Sequence, residues 1–171
     1  MLLGCVPITG HYFEPSTPGG VVYKHDCHGK LGAESDIKLV HGSVNLLLST
    51  KYVSSSELSI SMVLGLKQGD HVFVNWSEMK ALNEESRNIP VGISGGYTYD
   101  AGHVQAVDAT VVNVLNGEKF EMYEVDAKIE GELPNEFVLI FPPMTINGTE
   151  YPATKITFNK RFGAWLFPIN C

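Results

Sequence analysis

Residues 57–69 read "ELSISMVLGLKQG". Leu58, Ile60, Met62, Leu64 and Leu66 occupy alternate positions, and Ser59, Ser61, Val63, Gly65 and Lys67 fill the others. Period-two alternation of this length describes a β-strand with one face on a core, because successive strand side chains point to opposite faces. On a helix the same five apolar residues would be spread around the circumference.

The pattern continues outward in both directions. "GVVYKHDC" (20–27), "SDIKLVHG" (35–42) and "SVNLLLSTKYV" (43–53) read as strands upstream. A turn is expected at Lys67-Gln68-Gly69-Asp70, and then "HVFVNW" (71–76) places Val72, Val74 and Trp76 on one face. "SEMKALNEES" (77–86) suggests one short helix with Ser77 as its N-cap. "VQAVDATVVNVL" (104–115) and "KFEMYEVDAKIEG" (119–131) flank Asn116-Gly117, a hairpin signal. The apolar phase of the second run slips between Met122 and Tyr123, where a bulge is expected. "EFVLIFPPMTI" (136–146) and "KITFNKR" (155–161) form a further pair around the turn Asn147-Gly148. Phe137, Leu139 and Phe141 share a face, and Pro142-Pro143 should end that strand because proline donates no ladder hydrogen bond.

That makes roughly eight to ten short strands at close spacing, without a long amphipathic helix or an internal repeat. Antiparallel sheets with one polar face must pack their apolar faces together. The expected fold is therefore all-β, an immunoglobulin-like antiparallel β-sandwich, with a small β-barrel as the alternative. The likeness is one of architecture, since the Cys-Trp-Cys spacing of antibody domains is absent.

A chain of 171 residues is most simply one domain and buries roughly 70% of its unfolded surface on folding. The net charge of −7 and the lack of any Lys/Arg cluster exclude duplex nucleic acid as a partner. No run reaches the roughly 18 apolar residues of a membrane helix.

Three stretches carry residues of chemical interest. "GISGG" (92–96) fits G-x-S-x-G, with Asp100 and His103 following Ser94 in triad order. The nucleophile elbow requires a strained turn from strand into helix, and "YTYDAGHVQAV" (97–107) has no helical pattern. No catalytic residue is expected there, only a glycine-rich loop. "KHDCHGK" (24–30) gathers metal-ligand types, but neighbours on a strand face opposite ways. Neither a metal nor another cofactor is expected. Glu118, Glu121, Glu124, Asp126 and Glu130 read as the solvent side of a strand. "GGYTYD" (95–100) alternates Tyr97 and Tyr99 beside glycines, a candidate binding loop, because tyrosine offers much contact area for little entropy.

The chain begins "MLLGC", and Leu2-Leu3-Gly4-Cys5 resembles the lipobox of bacterial lipoproteins. The resemblance covers four residues. It implies that Cys5 is lipidated and that the protein sits in the bacterial cell envelope, anchored by lipid and facing the periplasm or the cell surface. Met1 leaves no room for the charged and apolar regions of a signal peptide, so the implied start lies upstream, or Met1 falls inside the signal. With Cys5 set aside, Cys27 and Cys171 remain to form a disulfide in an oxidising compartment. The Pro/Gly-rich residues 1–20 are expected to be a lipidation site and tether, and 21–171 the sandwich domain. The expected function is a non-catalytic module that binds an envelope protein or glycan. The alternative is a small metal-dependent or hydrolytic periplasmic enzyme.

Overall fold

The computed structural model describes residues 6–23, 34–100, 103–107, 114–117 and 122–167. In chain order its strands begin with β1 (Val6–Ser16), β2 (Val21–Tyr23), β3 (Asp36–His41), β4 (Val44–Ser54), β5 (Glu57–Gly65) and β6 (His71–Val74). They continue with β7 (Lys80–Asn83), β8 (Asn88–Ile89), β9 (Val91–Asp100), β10 (His103–Val107) and β11 (Val114–Asn116). The last five are β12 (Met122–Glu130), β13 (Glu136–Phe141), β14 (Met144–Ile146), β15 (Thr149–Tyr151) and β16 (Thr154–Phe167).

These strands form three antiparallel sheets. The largest runs β10-β9-β12-β5-β4-β3-β2. A five-stranded sheet runs β1-β16-β13-β7-β8, and a four-stranded sheet runs β11-β6-β14-β15. The chain passes between the two smaller sheets at Asn75–Met79 and at Pro142-Pro143, so together they supply the layer facing the large sheet. The fold is thus the immunoglobulin-like sandwich expected from the sequence, as an architecture. It is not a barrel, because the large sheet runs open from β10 to β2.

The alternation of residues 57–65 decides which face is inside. Leu58, Ile60, Met62 and Leu64 of β5 are fully buried, as are Leu46 and Leu48 of β4 and Tyr123, Val125 and Ala127 of β12. From the facing layer come Val72, Val74, Ala81, Leu139, Ile156 and Phe158, all within the same core. Two aromatic groups anchor it. Trp76 meets Phe141 edge-on, with ring centroids 5.7 Å apart, and lies 6.1 Å from Tyr123 across the layers. Phe137 stacks on Phe158 at 4.9 Å and receives the edge of Phe13 at 5.2 Å. Burying each such ring contributes about 2–3 kcal/mol.

Four expectations are corrected. Residues 6–16 are no tether: they form β1, which pairs with β16 in register from Val6↔Phe167 to Ser16↔Thr157 and buries Phe13 completely. The short helix over 77–86 reduces to a single 3-10 turn, Trp76–Glu78, capped by the Asn75 side chain. Met79 and Ala81 then alternate inward and the chain pairs with β13, so sheet burial overrides local helix propensity. Asn116-Gly117 does not close a hairpin, because β11 pairs with β6 of another sheet. Gly117 instead donates its N–H to the Asp70 carbonyl at 2.7 Å, and a Cβ there would collide with the Lys67 carbonyl oxygen. No bulge separates Met122 from Tyr123: β12 pairs with β5 unbroken, and Met122 simply faces outward. The Asn147-Gly148 turn does form, joining β14 to β15 with both residues at positive φ.

Asp70, only 4% exposed, ties these parts together. Its carboxylate accepts from Ser43 Oγ (2.6 Å), Lys67 N–H (2.8 Å) and Asn147 Nδ2 (2.9 Å). Burial alone would raise its pKa, but these donors hold it below the ordinary 3.8.

Two predictions follow from this arrangement. Leu64→Asp buries an unpaired charge and should cost about 4 kcal/mol of unfolding free energy. Ser59→Asp sits on the outer face with Lys128 and Lys51 as its register partners and should cost under about 0.5 kcal/mol. Equal shifts in urea midpoint would contradict the register. Asp70→Ala strands three donors and should cost about 3 kcal/mol at pH 7. A carboxyl lowered in the folded state stabilises above its unfolded value and loses that contribution as pH falls through the folded one. Below about pH 4 the gap between wild type and Asp70→Asn should therefore narrow, as read by melting temperature against pH.

Candidate functional site

Tyr97 and Tyr99 lie on β9, in mid-strand and not in a loop. Gly95 and Gly96, expected to turn the chain, are part of the same strand. Between Ile93 and Gly95 the register to β12 slips by one, which leaves Ser94 as the extra residue of a bulge. The slip sets the phase of the strand beyond it. Tyr97 and Tyr99 consequently face outward, while Gly96 is buried.

The outward residues of the large sheet align in rows across its strands. One row runs Val104, Tyr99, Met122, Gly65, Asn45, Val40. The next runs Tyr97, Glu124, Val63, Leu47, Lys38. A third holds Asp126, Ser61 and Ser49, and a fourth holds Lys128, Ser59 and Lys51. The first two rows are therefore mainly apolar and aromatic, interrupted by Asn45, Glu124 and Lys38, and the other two are polar. Val40 and Val104 are about 60% exposed, far more than a sheet buried on both sides would leave them.

Glu124 organises the boundary between the halves. Its Oε2 accepts from the Tyr99 hydroxyl at 2.5 Å and its Oε1 from Ser61 Oγ at 2.7 Å. The bond to Glu124, then burial, push the Tyr99 phenol up to about 12. Burial first, and then the neighbouring Glu124 charge, raise the Asp126 carboxyl, opposed by a bond from Ser61. A phenol raised to about 12 stays protonated at neutral pH, so Tyr99 keeps donating to Glu124 and its ring is held in place.

The triad pattern does not converge. Asp100, opposite His103, lies six residues along β9 from Ser94, about 20 Å in an extended chain. A serine on a continuing strand also lacks the elbow that would aim its hydroxyl. Among the described residues no group of three His, Cys, Asp or Glu side chains could hold a metal ion. Cys5, Cys27, Cys171 and the 24–30 cluster lie outside the described residues.

A second surface feature has little signal in the sequence. It is a groove of about 400 Å³ on the four-stranded sheet, between Phe73, Pro143 and Tyr151. The exposed Phe73 in "HVFVNW" was its only local signal.

No protein-family model matches the chain, and no curated protein matches it. Among solved structures it is similar to the yeast GGA1 GAE domain at 10% identity and a TM-score of 0.37, covering 75% of this chain and 95% of that one. It is likewise similar to the GAE domain of GGA2p from Saccharomyces cerevisiae at 10% identity and a TM-score of 0.35, covering 78% and 97%.

The Tyr99–Glu124 bond makes a spectroscopic prediction. In an alkaline absorbance titration one tyrosine should ionise near pH 12, and Glu124→Gln should return it toward the ordinary value of 10. A titration unchanged by Glu124→Gln would refute the bond.

Proposed function

We propose that this chain is a non-catalytic binding module of a bacterial envelope lipoprotein, anchored through Cys5, which holds a protein partner on the outer face of its large sheet. The observation that carries the reading is the half-apolar face itself. Tyr97, Met122, Val104, Leu47 and Val40 are all exposed on it. Exposed aromatic and apolar side chains bordered by polar ones are the composition of a protein contact surface. The aliphatic members favour a protein over a glycan, because a sugar offers few apolar groups to cover them. Tyr99 is held in place by Glu124, which reduces the ordering cost of binding. The lipid supplies location alone: one acylated cysteine holds a domain at a membrane without adding to what it recognises.

The test uses the protein expressed from its own locus with a photo-crosslinking residue at position 97 or, as control, at position 155 on the opposite sheet. Discrete adducts are expected from position 97 and not from 155, and Met122→Asp should abolish them. Equal labelling from both positions, or none from 97, would reject the binding face. Cys5→Ser should move the protein from the membrane to the soluble fraction while leaving its affinity for the captured partner unchanged. Retention at the membrane would reject the anchor without touching the binding face.

A further inference from the structure

The groove on the four-stranded sheet is a separate surface with its own chemistry. Its floor is set by strand alternation: Val72 and Val74 point into the core, and Phe73 between them points out and is half exposed. In register beside Phe73 lie Thr145 and then Glu150. Tyr151 forms one wall. Its ring meets His41 edge-on at 5.7 Å, and its hydroxyl lies against Gly42, where a Cβ would collide with it. Gly42 sits at a φ of 58°, so the β3–β4 turn that clamps the tyrosine depends on glycine twice over. Pro143 and Pro152 complete the apolar lining.

The polar lining is one-sided. Glu78 and Glu150 both border the groove, and no lysine or arginine does among the described residues. Glu78 is positioned by Asn75, whose Nδ2 donates to Oε1 at 2.8 Å. Beyond β15 the chain continues at Pro152, which has no N–H to extend the ladder past Tyr151. The groove lining itself offers an occupant side-chain contacts.

We infer that this groove binds an extended, proline-containing segment of a protein that carries arginine or lysine, in the polyproline II conformation. Such a segment has no internal hydrogen bonds and needs none from the sheet edge, and its rings pack on aromatic walls. Its cation meets Glu78 and Glu150. The volume of about 400 Å³ lies toward the small end of the roughly 300–1,000 Å³ range of binding sites, which suits a few residues of peptide. A second copy of this chain is the poorer occupant, because it also carries a net charge of −7.

The test is fluorescence anisotropy with a labelled nonapeptide of the repeat Pro-Pro-Arg. The repeat Pro-Pro-Glu keeps the conformation and reverses the charge, and Ala-Ala-Arg keeps the charge without the rings. Saturable binding of Pro-Pro-Arg that weakens with salt is expected, with no binding of Pro-Pro-Glu and binding of Ala-Ala-Arg at least about tenfold weaker. Phe73→Ala, and separately Glu78→Gln with Glu150→Gln, should each weaken Pro-Pro-Arg by about tenfold, whereas Tyr97→Ala should leave it unchanged. The two glutamate changes are on exposed side chains and preserve the fold, which the melting temperature will confirm. No binding of Pro-Pro-Arg, equal binding of Ala-Ala-Arg, or indifference to both variants would overturn the inference. Self-association in sedimentation that Phe73→Ala abolishes would overturn it in favour of a second copy. Crosslinking from position 97 should survive Phe73→Ala, so failure here leaves the sheet-face reading standing.

Discussion

Asp70 is the constraint on which the rest of the structure depends. It is a buried carboxylate that accepts from its own turn through Lys67 and from two segments distant in sequence, the β3–β4 turn through Ser43 and the β14–β15 turn through Asn147. A fourth is added by its main chain, whose carbonyl accepts from Gly117 after β11. Turns from both layers of the sandwich thus meet at one residue. Asn147 reciprocates, since its side-chain oxygen accepts from His71 N–H at 2.8 Å and its N–H donates to the His71 carbonyl at 2.9 Å. Hydrogen bonds to a buried charge are worth about 1.5–3 kcal/mol each, roughly twice a neutral bond. Concentrating them at one end of the sandwich fixes how the small sheet lies on the large one.

That orientation bears on both surfaces. The groove lies between residues of β6 and of the β14–β15 hairpin, the elements that Asp70 and Asn147 join, and its tyrosine wall is braced by the β3–β4 turn that Ser43 anchors. The large sheet owes its exposed rows to a different cause. With the inner face saturated by Leu58, Ile60, Met62 and Leu64, every alternate residue must face out, whatever its chemistry. Apolar residues placed there are not needed to fill the core. Val40, Leu47, Tyr97, Val104 and Met122 are such residues. Glu124 works in the opposite sense, satisfied by Tyr99 and Ser61 so that its charge is fixed beside the apolar rows.

What the sequence by itself determined is everything that repeats along one strand. The alternation in 57–69, the inward set Val72, Val74 and Trp76, the prolines that end β13 and the Asn147-Gly148 turn all follow from side chains within a few residues of one another. So does the all-β sandwich, because period-two burial leaves few other ways to cover an apolar face. Tertiary structure alone decided what depends on which strand lies next to which. Asn116-Gly117 has the chemistry of a hairpin, yet packs under Asp70 because β11 joins another sheet. Residues 77–86 read as a short helix, yet Ala81 packs in register with Leu139. Residues 6–16 look like a tether by composition, yet β16 offers eleven partners to pair with. Tyr97 and Tyr99 were visible as residues, but their face is set by a one-residue slip at Ser94, opposite Asp126 and Ala127. Local sequence states which side chains are available. Register between distant strands, which no local pattern encodes, states which of them meet.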